Sequence, residues 1–259
     1  MSNIVICCDG TNNEFGDDNT NVVKLYSVLD HNTPRQISYY HPGLGSMGSP
    51  AALTTFSRLW TKAWGLAFGY GLSQHMMDLY SWVMDRYQPD DRVYIFGFSR
   101  GAYTARALSG MFHALGLIRC QDAALIPYGI RLLKAFGKGD NERIAAKFQE
   151  TFSSIHVTQE FIGVWDTVSS VGAVYTPVHF PFTAFNPSIR KARHAVAIDE
   201  RRAFYRQNLF SPAPGQDIQQ VWFAGAHSDV GGGYPEAQSG LSKIALEWMI
   251  REAVHTVAA

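Results

Sequence analysis

Short unbroken runs of apolar residues alternate along this chain with stretches in which apolar residues recur every three or four positions. The runs are typical of strands buried on both faces of a parallel sheet, and the spaced pattern is typical of helices packed on such a sheet. The predicted strands cover residues 4–8, 37–41, 93–96, 161–165 and 221–224. The predicted helices cover residues 21–29, 72–87 and 102–117, a charged insertion at 121–150, a basic stretch at 188–208 and a closing segment from 241. This alternation predicts an α/β fold, a three-layer sandwich with a mainly parallel central sheet.

No internal repeat, low-complexity segment or linker interrupts this pattern, so residues 1–259 are predicted to form a single domain. Three segments contain no Asp, Glu, Lys or Arg: 36–57, 63–77 and 167–189. We expect these segments to be loops that form a lid or the walls of an apolar pocket. Ordinary packing between the layers is the alternative.

Composition excludes several classes of protein. The chain carries 22 Lys and Arg against 22 Asp and Glu, so it lacks the basic excess of a nucleic-acid-binding protein. With 46% hydrophobic residues it is not disordered. Its three cysteines have neither disulfide-framework nor zinc-site spacing, and no metal or cofactor is expected. The N-terminus lacks a signal-peptide pattern and no apolar run is long enough to span a membrane, which favours a cytoplasmic location.

Residues 97–101 read Gly-Phe-Ser-Arg-Gly and match the G-x-S-x-G pattern of a nucleophile elbow. A predicted strand runs directly into the motif, and a helix rich in small residues leaves it. In this context Ser99 is the candidate nucleophile, and the Arg100 N–H is a candidate oxyanion donor at the start of the helix. The alternative is a serine that caps the helix between closely packed glycines.

A nucleophilic serine needs a base and an acid that orients the base, and in this arrangement they follow in the order serine, acid, histidine. Asp166 ends the strand at 161–165, and His227 follows the strand at 221–224. These two residues are the candidate acid and base. Structural roles as a turn or a strand-end polar residue remain open for both, with Asp229 and Asp9 as reserve acids and His194 as reserve base.

The turn Asp9-Gly10-Thr11 follows the first strand and has two further interpretations beside a plain turn. The Gly10 or Thr11 N–H is a candidate second oxyanion donor. The turn also matches the end of the D-x-D-G-T motif of aspartate-nucleophile phosphatases, and a metal-dependent phosphatase that uses Asp9, the second aspartate of the motif, is the third interpretation. Cys7 stands where the nucleophilic aspartate of that motif belongs, which weakens this interpretation.

Several blocks of sequence occur together and in order along nearly the whole chain. They are CDGTN at 8–12, NTNV at 19–22, PGLG at 42–45, FGFSRGAYTAR at 96–106, GVWDTV at 163–168, HAVAIDERR at 194–202 and GAHSDVGGGY at 225–234. In these blocks the chain resembles the catalytic domain of the type VI secretion phospholipase effectors and related uncharacterised α/β hydrolases.

The resemblance implies an α/β-hydrolase fold and a lipase-like or phospholipase A-like serine esterase that needs no cofactor. It assigns the nucleophile, acid and base to Ser99, Asp166 and His227. It also implies a phospholipid or smaller ester as substrate, contact with a membrane surface, and secretion by a route that needs no signal peptide. The alternative is a protein that has the hydrolase fold and binds a ligand without catalysing a reaction.

Overall fold

The computed structural model describes residues 1–10, 16–43, 57–168, 172–173, 176–177, 179–202, 205 and 207–257. Its strands are β1 (Asn3–Cys8), β2 (Gln36–His41), β3 (Arg92–Phe98), β4 (Leu117–Ile118), β5 (Ser153–Ile155), β6 (Thr158–Trp165), β7 (Gly172–Ala173), β8 (Thr176–Pro177), β9 (Ile189–Ala197) and β10 (Asp217–Phe223). Its α-helices are α1 (Asn21–Ser27), α2 (Ser57–Met84), α3 (Arg100–Leu115), α4 (Ile126–Lys134), α5 (Asn141–Phe152), α6 (His227–Gly231) and α7 (Gly240–Val257).

Six of these strands form the central sheet in the order β10-β9-β6-β3-β1-β2. Every neighbouring pair in this sheet is parallel. The chain adds β2 on one side of β1 and then β3, β6, β9 and β10 on the other, so the strand order reverses between β1 and β3. In open α/β sheets a crevice forms beyond the carboxyl ends of the strands at such a reversal, and this is where functional groups collect.

Alternate residues of β1 enter two separate cores, which identifies the layers. Ile4 and Ile6 pack in one apolar cluster with residues of α2, α3, α4 and α5. Val5 and Cys7 pack in a second cluster with residues of α1 and α7. Helices therefore cover both faces of the sheet, and the predicted three-layer sandwich with a parallel sheet is confirmed.

The helix predicted over 188–208 is wrong, because residues 189–197 form strand β9 between β6 and β10. The positive charge of this basic stretch is paired with acids within the fold. Arg193 is buried and pairs with Asp217 at 2.9 Å and with Glu252 of α7. Paired in this way, an arginine can occupy a buried strand without an unpaired charge.

The uncharged segment 63–77 is also not a loop, because it lies within helix α2. The three glycines of this segment do not end the helix, since a glycine costs a helix interior only about 1 kcal/mol relative to alanine. Of segment 36–57, residues 36–41 form β2, and 44–56 lie outside the described residues.

Residues 180–186, in the second half of segment 167–189, are hydrogen-bonded to α3. The Phe180 N–H donates to the Tyr103 hydroxyl at 2.9 Å, and the Asn186 side chain donates to Ser109 Oγ at 2.8 Å. Buried Arg106 donates to the Thr183 carbonyl. Residues 180–186 therefore behave as packed structure, and a lid role for the rest of 167–189 stays a prediction.

Candidate active site

Ser99 occupies a sharp turn between β3 and α3. Its backbone has φ 59° and ψ −122°, a left-handed conformation that is unfavourable for a residue other than glycine. Cβ atoms built on Gly97 and Gly101 would lie 2.7 Å from the Ala102 Cα and 2.2 Å from the Cys8 carbonyl oxygen. The two glycines are therefore required for helix α3 to start this close to the strand ends, as a nucleophile elbow demands.

His227 is the first residue of α6 and faces Ser99. Its Nε2 lies 2.8 Å from Ser99 Oγ. The ring packs against Phe98 and Tyr205, with centroid distances of 4.6 and 4.7 Å. These two aromatic contacts hold the imidazole in place, and its remaining nitrogen, Nδ1, points away from the serine.

Asp166 accepts a hydrogen bond from that remaining nitrogen. Its Oδ2 lies 2.6 Å from His227 Nδ1, and its Oδ1 accepts from the Ala197 N–H at 3.0 Å. The carboxyl group is fully buried at the end of β6. A carboxylate at Nδ1 stabilises the tautomer that carries its proton there, which leaves Nε2 able to accept the serine proton. The structure thus brings together the three residues predicted from chain order.

The predicted oxyanion donors divide into two groups. The Arg100 N–H begins α3 beside Ser99, at the positive end of the helix dipole. The Gly10 N–H donates to its neighbour's carboxylate, Asp9 Oδ1, at 2.6 Å, so in this structure it does not point to a substrate oxyanion. Thr11 lies outside the described residues. The pKa of the Arg100 guanidinium is lowered by burial, against an opposing effect of Tyr205.

Asp9, the aspartate that the phosphatase interpretation would use, is only 3% exposed. Besides the Gly10 N–H, it accepts hydrogen bonds from the hydroxyls of Thr20 and Tyr40, each at 2.8 Å. Burial and the neighbouring carboxylate raise the pKa of Tyr40 well above its ordinary value, so the phenol stays a donor. A carboxylate that accepts from these three donors has a structural role, because it joins the turn after β1 to Thr20 and to β2.

The reserve residues have other partners. Asp229 accepts from the Ala226 N–H at 2.9 Å and so caps the start of α6. His194 is buried in β9, where its Nε2 accepts from the Thr167 N–H at 3.2 Å and its Nδ1 lies 3.3 Å from Gln220 Oε1. It therefore supports the backbone directly after Asp166.

His227 also contacts Glu200 and Tyr205, and no sequence motif indicated either contact. The Glu200 carboxylate accepts from the His227 N–H at 3.3 Å and pairs with Arg202 at 2.6 Å. This pairing lowers the pKa of Glu200 to about 2. The Arg202 guanidinium lies 3.9 Å from the centroid of Tyr205, which in turn packs on His227. These side chains form one wall of the site.

We predict that His194 makes stability depend on pH. Burial, reinforced by Arg106, lowers its pKa to about 3. Below about pH 6.5 this histidine is therefore protonated in the unfolded chain and stays neutral in the folded chain. The free energy of unfolding falls by about 1.4 kcal/mol per pH unit from there toward pH 3. Urea unfolding at about pH 7.5, 6 and 5 should show a steeper loss for the wild type than for His194→Gln. Equal slopes would contradict a buried neutral histidine.

Within the described residues, no cluster of His, Cys, Asp and Glu has the make-up of a metal site. In the same part of the chain, no helix is both long and apolar enough to cross a membrane. Cys7 and Cys8 are buried as free thiols, and Cys120 is an exposed one.

Known solved structures share this fold at low sequence identity. An uncharacterized protein from Pseudomonas aeruginosa aligns over 98% of this chain and 46% of its own, with a TM-score of 0.55 and 20% identity. A Tle1 effector, solved bound to the VgrG spike of the type VI secretion system, aligns over 93% of this chain and 52% of its own, with a TM-score of 0.50 and 18% identity. The expected α/β-hydrolase-like fold is confirmed.

Sequence comparison reaches further. The uncharacterized protein YEL023C of Saccharomyces cerevisiae is 35% identical over 226 residues, which are 82% of this chain and 33% of the yeast protein. The chain thus spans a third of that relative's length and about half of each structural relative. The family model for the catalytic domain of Tle1-like phospholipase effectors of type VI secretion systems matches residues 2–252. This chain therefore belongs to the Tle1-like phospholipase effector family, of which it represents the catalytic domain.

Proposed function

We propose that this domain is a serine hydrolase of carboxylic esters. It would cleave the ester bonds that hold the acyl chains of phospholipids, as a phospholipase A does. The observation that carries the proposal is the hydrogen-bonded series from Ser99 Oγ to His227 Nε2 and from His227 Nδ1 to Asp166 Oδ2, at 2.8 and 2.6 Å. Membership in a phospholipase effector family supports the lipid substrate.

In the first half of the reaction, His227 Nε2 takes the proton of Ser99 as Oγ attacks the ester carbonyl carbon. Asp166 keeps the imidazole oriented and stabilises the cation that forms. The negative charge moves to the carbonyl oxygen, where the Arg100 N–H and the helix dipole of α3 stabilise it. Collapse of the tetrahedral intermediate breaks the ester bond, and His227 returns its proton to the leaving alcohol.

In the second half, water attacks the acyl group on Ser99. His227 takes a proton from the water, and the acyl–serine bond breaks to release a free fatty acid. The proton on Nε2 returns to Ser99 Oγ, so the enzyme is regenerated without a cofactor. Since the Gly10 N–H is taken by Asp9 Oδ1, the Thr11 N–H is the proposed second oxyanion donor.

A fluorophosphonate probe tests the proposal, because it reacts with a serine only where a base activates it and an oxyanion site receives the phosphoryl oxygen. We expect the wild type to be labelled on Ser99, as identified by peptide mass spectrometry. It should also release fatty acid from phosphatidylcholine and phosphatidylglycerol vesicles.

A panel of nitrophenyl esters of graded chain length separates lipid from small-ester substrates. Turnover that peaks at long chains supports an acyl lipid, whereas turnover confined to acetate and butyrate contradicts the lipid part of the proposal. A folded protein that neither labels nor hydrolyses any ester would contradict the enzyme assignment and favour a binding module.

A further inference from the structure

Asp9 and Thr20 connect the nucleophile elbow to the loop that follows His227. The Asp9 carbonyl oxygen lies 2.4 Å from the position that a Cβ on Gly101 would occupy, so the end of β1 rests directly on the elbow. The Asp9 carboxylate accepts from the Thr20 hydroxyl at 2.8 Å. Thr20 in turn forms an antiparallel bridge with Gly232, one residue beyond α6.

The start of α1 also holds the end of α6. The Asn21 side chain is fully buried and donates to the carbonyls of Val230 and Ser242, each at 2.9 Å. A Cβ on Gly232 would lie 2.8 Å from the Asn21 nitrogen, so the backbones are in close contact. The Gly232 N–H donates to the Ser228 carbonyl at 2.9 Å, which closes α6 at this point.

Helix α6 is therefore packed against other residues on two sides. On one side, a Cβ on Gly231 would lie 1.9 Å from the Phe98 ring, which also packs on the His227 imidazole. On the other side are Thr20 and Asn21. Because α6 is only five residues long, its hydrogen bonds alone do not fix where its first residue points.

We propose that Thr20, anchored by Asp9, is a positioning residue that sets the distance from His227 Nε2 to Ser99 Oγ. This inference rests on the proposed function for its effect on rate. It assigns a role to the NTNV block at 19–22, which the three reacting side chains do not explain. The Asp9 carboxylate acts here through Thr20 and takes no part in bond making.

A matched pair of variants tests the proposal. Thr20→Val and Tyr40→Phe each remove one hydroxyl that donates to the same atom, Asp9 Oδ2. Only Thr20 is bridged to the loop after α6. Thr20→Val should lower kcat about 10-fold to 100-fold with KM within about twofold, since a misplaced base slows the chemical step and leaves ester binding intact. Tyr40→Phe should keep kcat within about threefold.

Stability is measured beside activity, because Thr20 Oγ1 also accepts from the Val23 N–H at 3.3 Å and caps α1. Both variants should lower the urea midpoint, and all rates are taken well below it. Thr20→Ser keeps the hydroxyl and should restore most of kcat. If Thr20→Val does not fold, Thr20→Ser is compared with Tyr40→Phe instead. A loss of kcat in Thr20→Ser no larger than that in Tyr40→Phe supports the role of the hydroxyl. A larger loss contradicts it.

Crystal structures of the two variants provide a test that does not depend on turnover. The distance from His227 Nε2 to Ser99 Oγ should exceed hydrogen-bond reach, about 3.2 Å, in Thr20→Val only. An unchanged distance together with equal kcat values for the two variants overturns the positioning role. If the wild type proves inactive, the proposed function fails, and the distance comparison still decides whether Thr20 positions His227.

Discussion

Replacing Ser99 with alanine should lower kcat for ester hydrolysis by about 10⁶-fold and abolish labelling by a fluorophosphonate. The hydroxyl removed is the one that lies 2.8 Å from His227 Nε2, and the described structure provides no second serine in that position. Initial rates with the best nitrophenyl ester and gel fluorescence of the labelled protein measure the two effects.

The substitution removes one oxygen and leaves the backbone turn in place, so the urea midpoint should stay close to that of the wild type. Ser27→Ala is a suitable control, because this exposed serine lies on α1, where its hydroxyl donates to the Lys24 carbonyl at 2.8 Å. Its kcat should equal that of the wild type. Labelling that persists in Ser99→Ala would identify another nucleophile. Magnesium-dependent hydrolysis of aryl phosphates that survives the substitution would favour the phosphatase interpretation of Asp9.

The meeting of Ser99, Asp166 and His227 could be predicted because it depends on a rule of topology. Each residue follows a strand of apolar sequence, and parallel strands bring their carboxyl ends to one edge of the sheet. Sequence separation does not matter to this rule, since Asp166 and His227 are 61 positions apart in the chain while their side chains are in hydrogen-bond contact. The motif at Ser99, the chain order of the acid and the base, and the ends of the predicted strands were therefore enough to place all three.

Strand β9 could not be predicted, because what makes its sequence acceptable in a sheet lies elsewhere in the chain. Local pattern assigns Arg193 and His194 to a basic helix. In the fold, the charge of Arg193 is paired with acids of β10 and α7. His194 is kept neutral by burial, reinforced by Arg106, which lowers its pKa. Compensation by distant residues leaves no trace in a window of ten or fifteen positions.

The surroundings of Asp9 show the same limit at the site itself. The sequence indicates a turn after β1 and leaves open whether Gly10 faces a substrate. In the structure the Gly10 N–H bonds to the preceding carboxylate, whose other partners come from the start of α1 and from β2. Which way a turn amide points is decided by these contacts between separate elements, so a motif can locate the turn without orienting it.

Replacing Asp166 with asparagine should lower kcat by about 10⁴-fold while leaving the fold intact. The amide keeps the size of the carboxylate, and its oxygen can still accept from the Ala197 N–H. Its NH₂ group then faces His227 Nδ1 and favours the opposite tautomer, in which the proton sits on Nε2 and the ring cannot accept the proton of Ser99.

The rate of fluorophosphonate labelling under identical conditions should fall in parallel with kcat, because both reactions need the same proton transfer from Ser99. Asp229→Asn is the informative comparison, since Asp229 is the reserve acid and instead caps α6 at the Ala226 N–H. It should lower the unfolding midpoint and reduce kcat far less than Asp166→Asn. The reverse order of the two kcat values would transfer the role of the acid to Asp229, because only the residue that holds His227 in the accepting tautomer can control the rate of attack by Ser99.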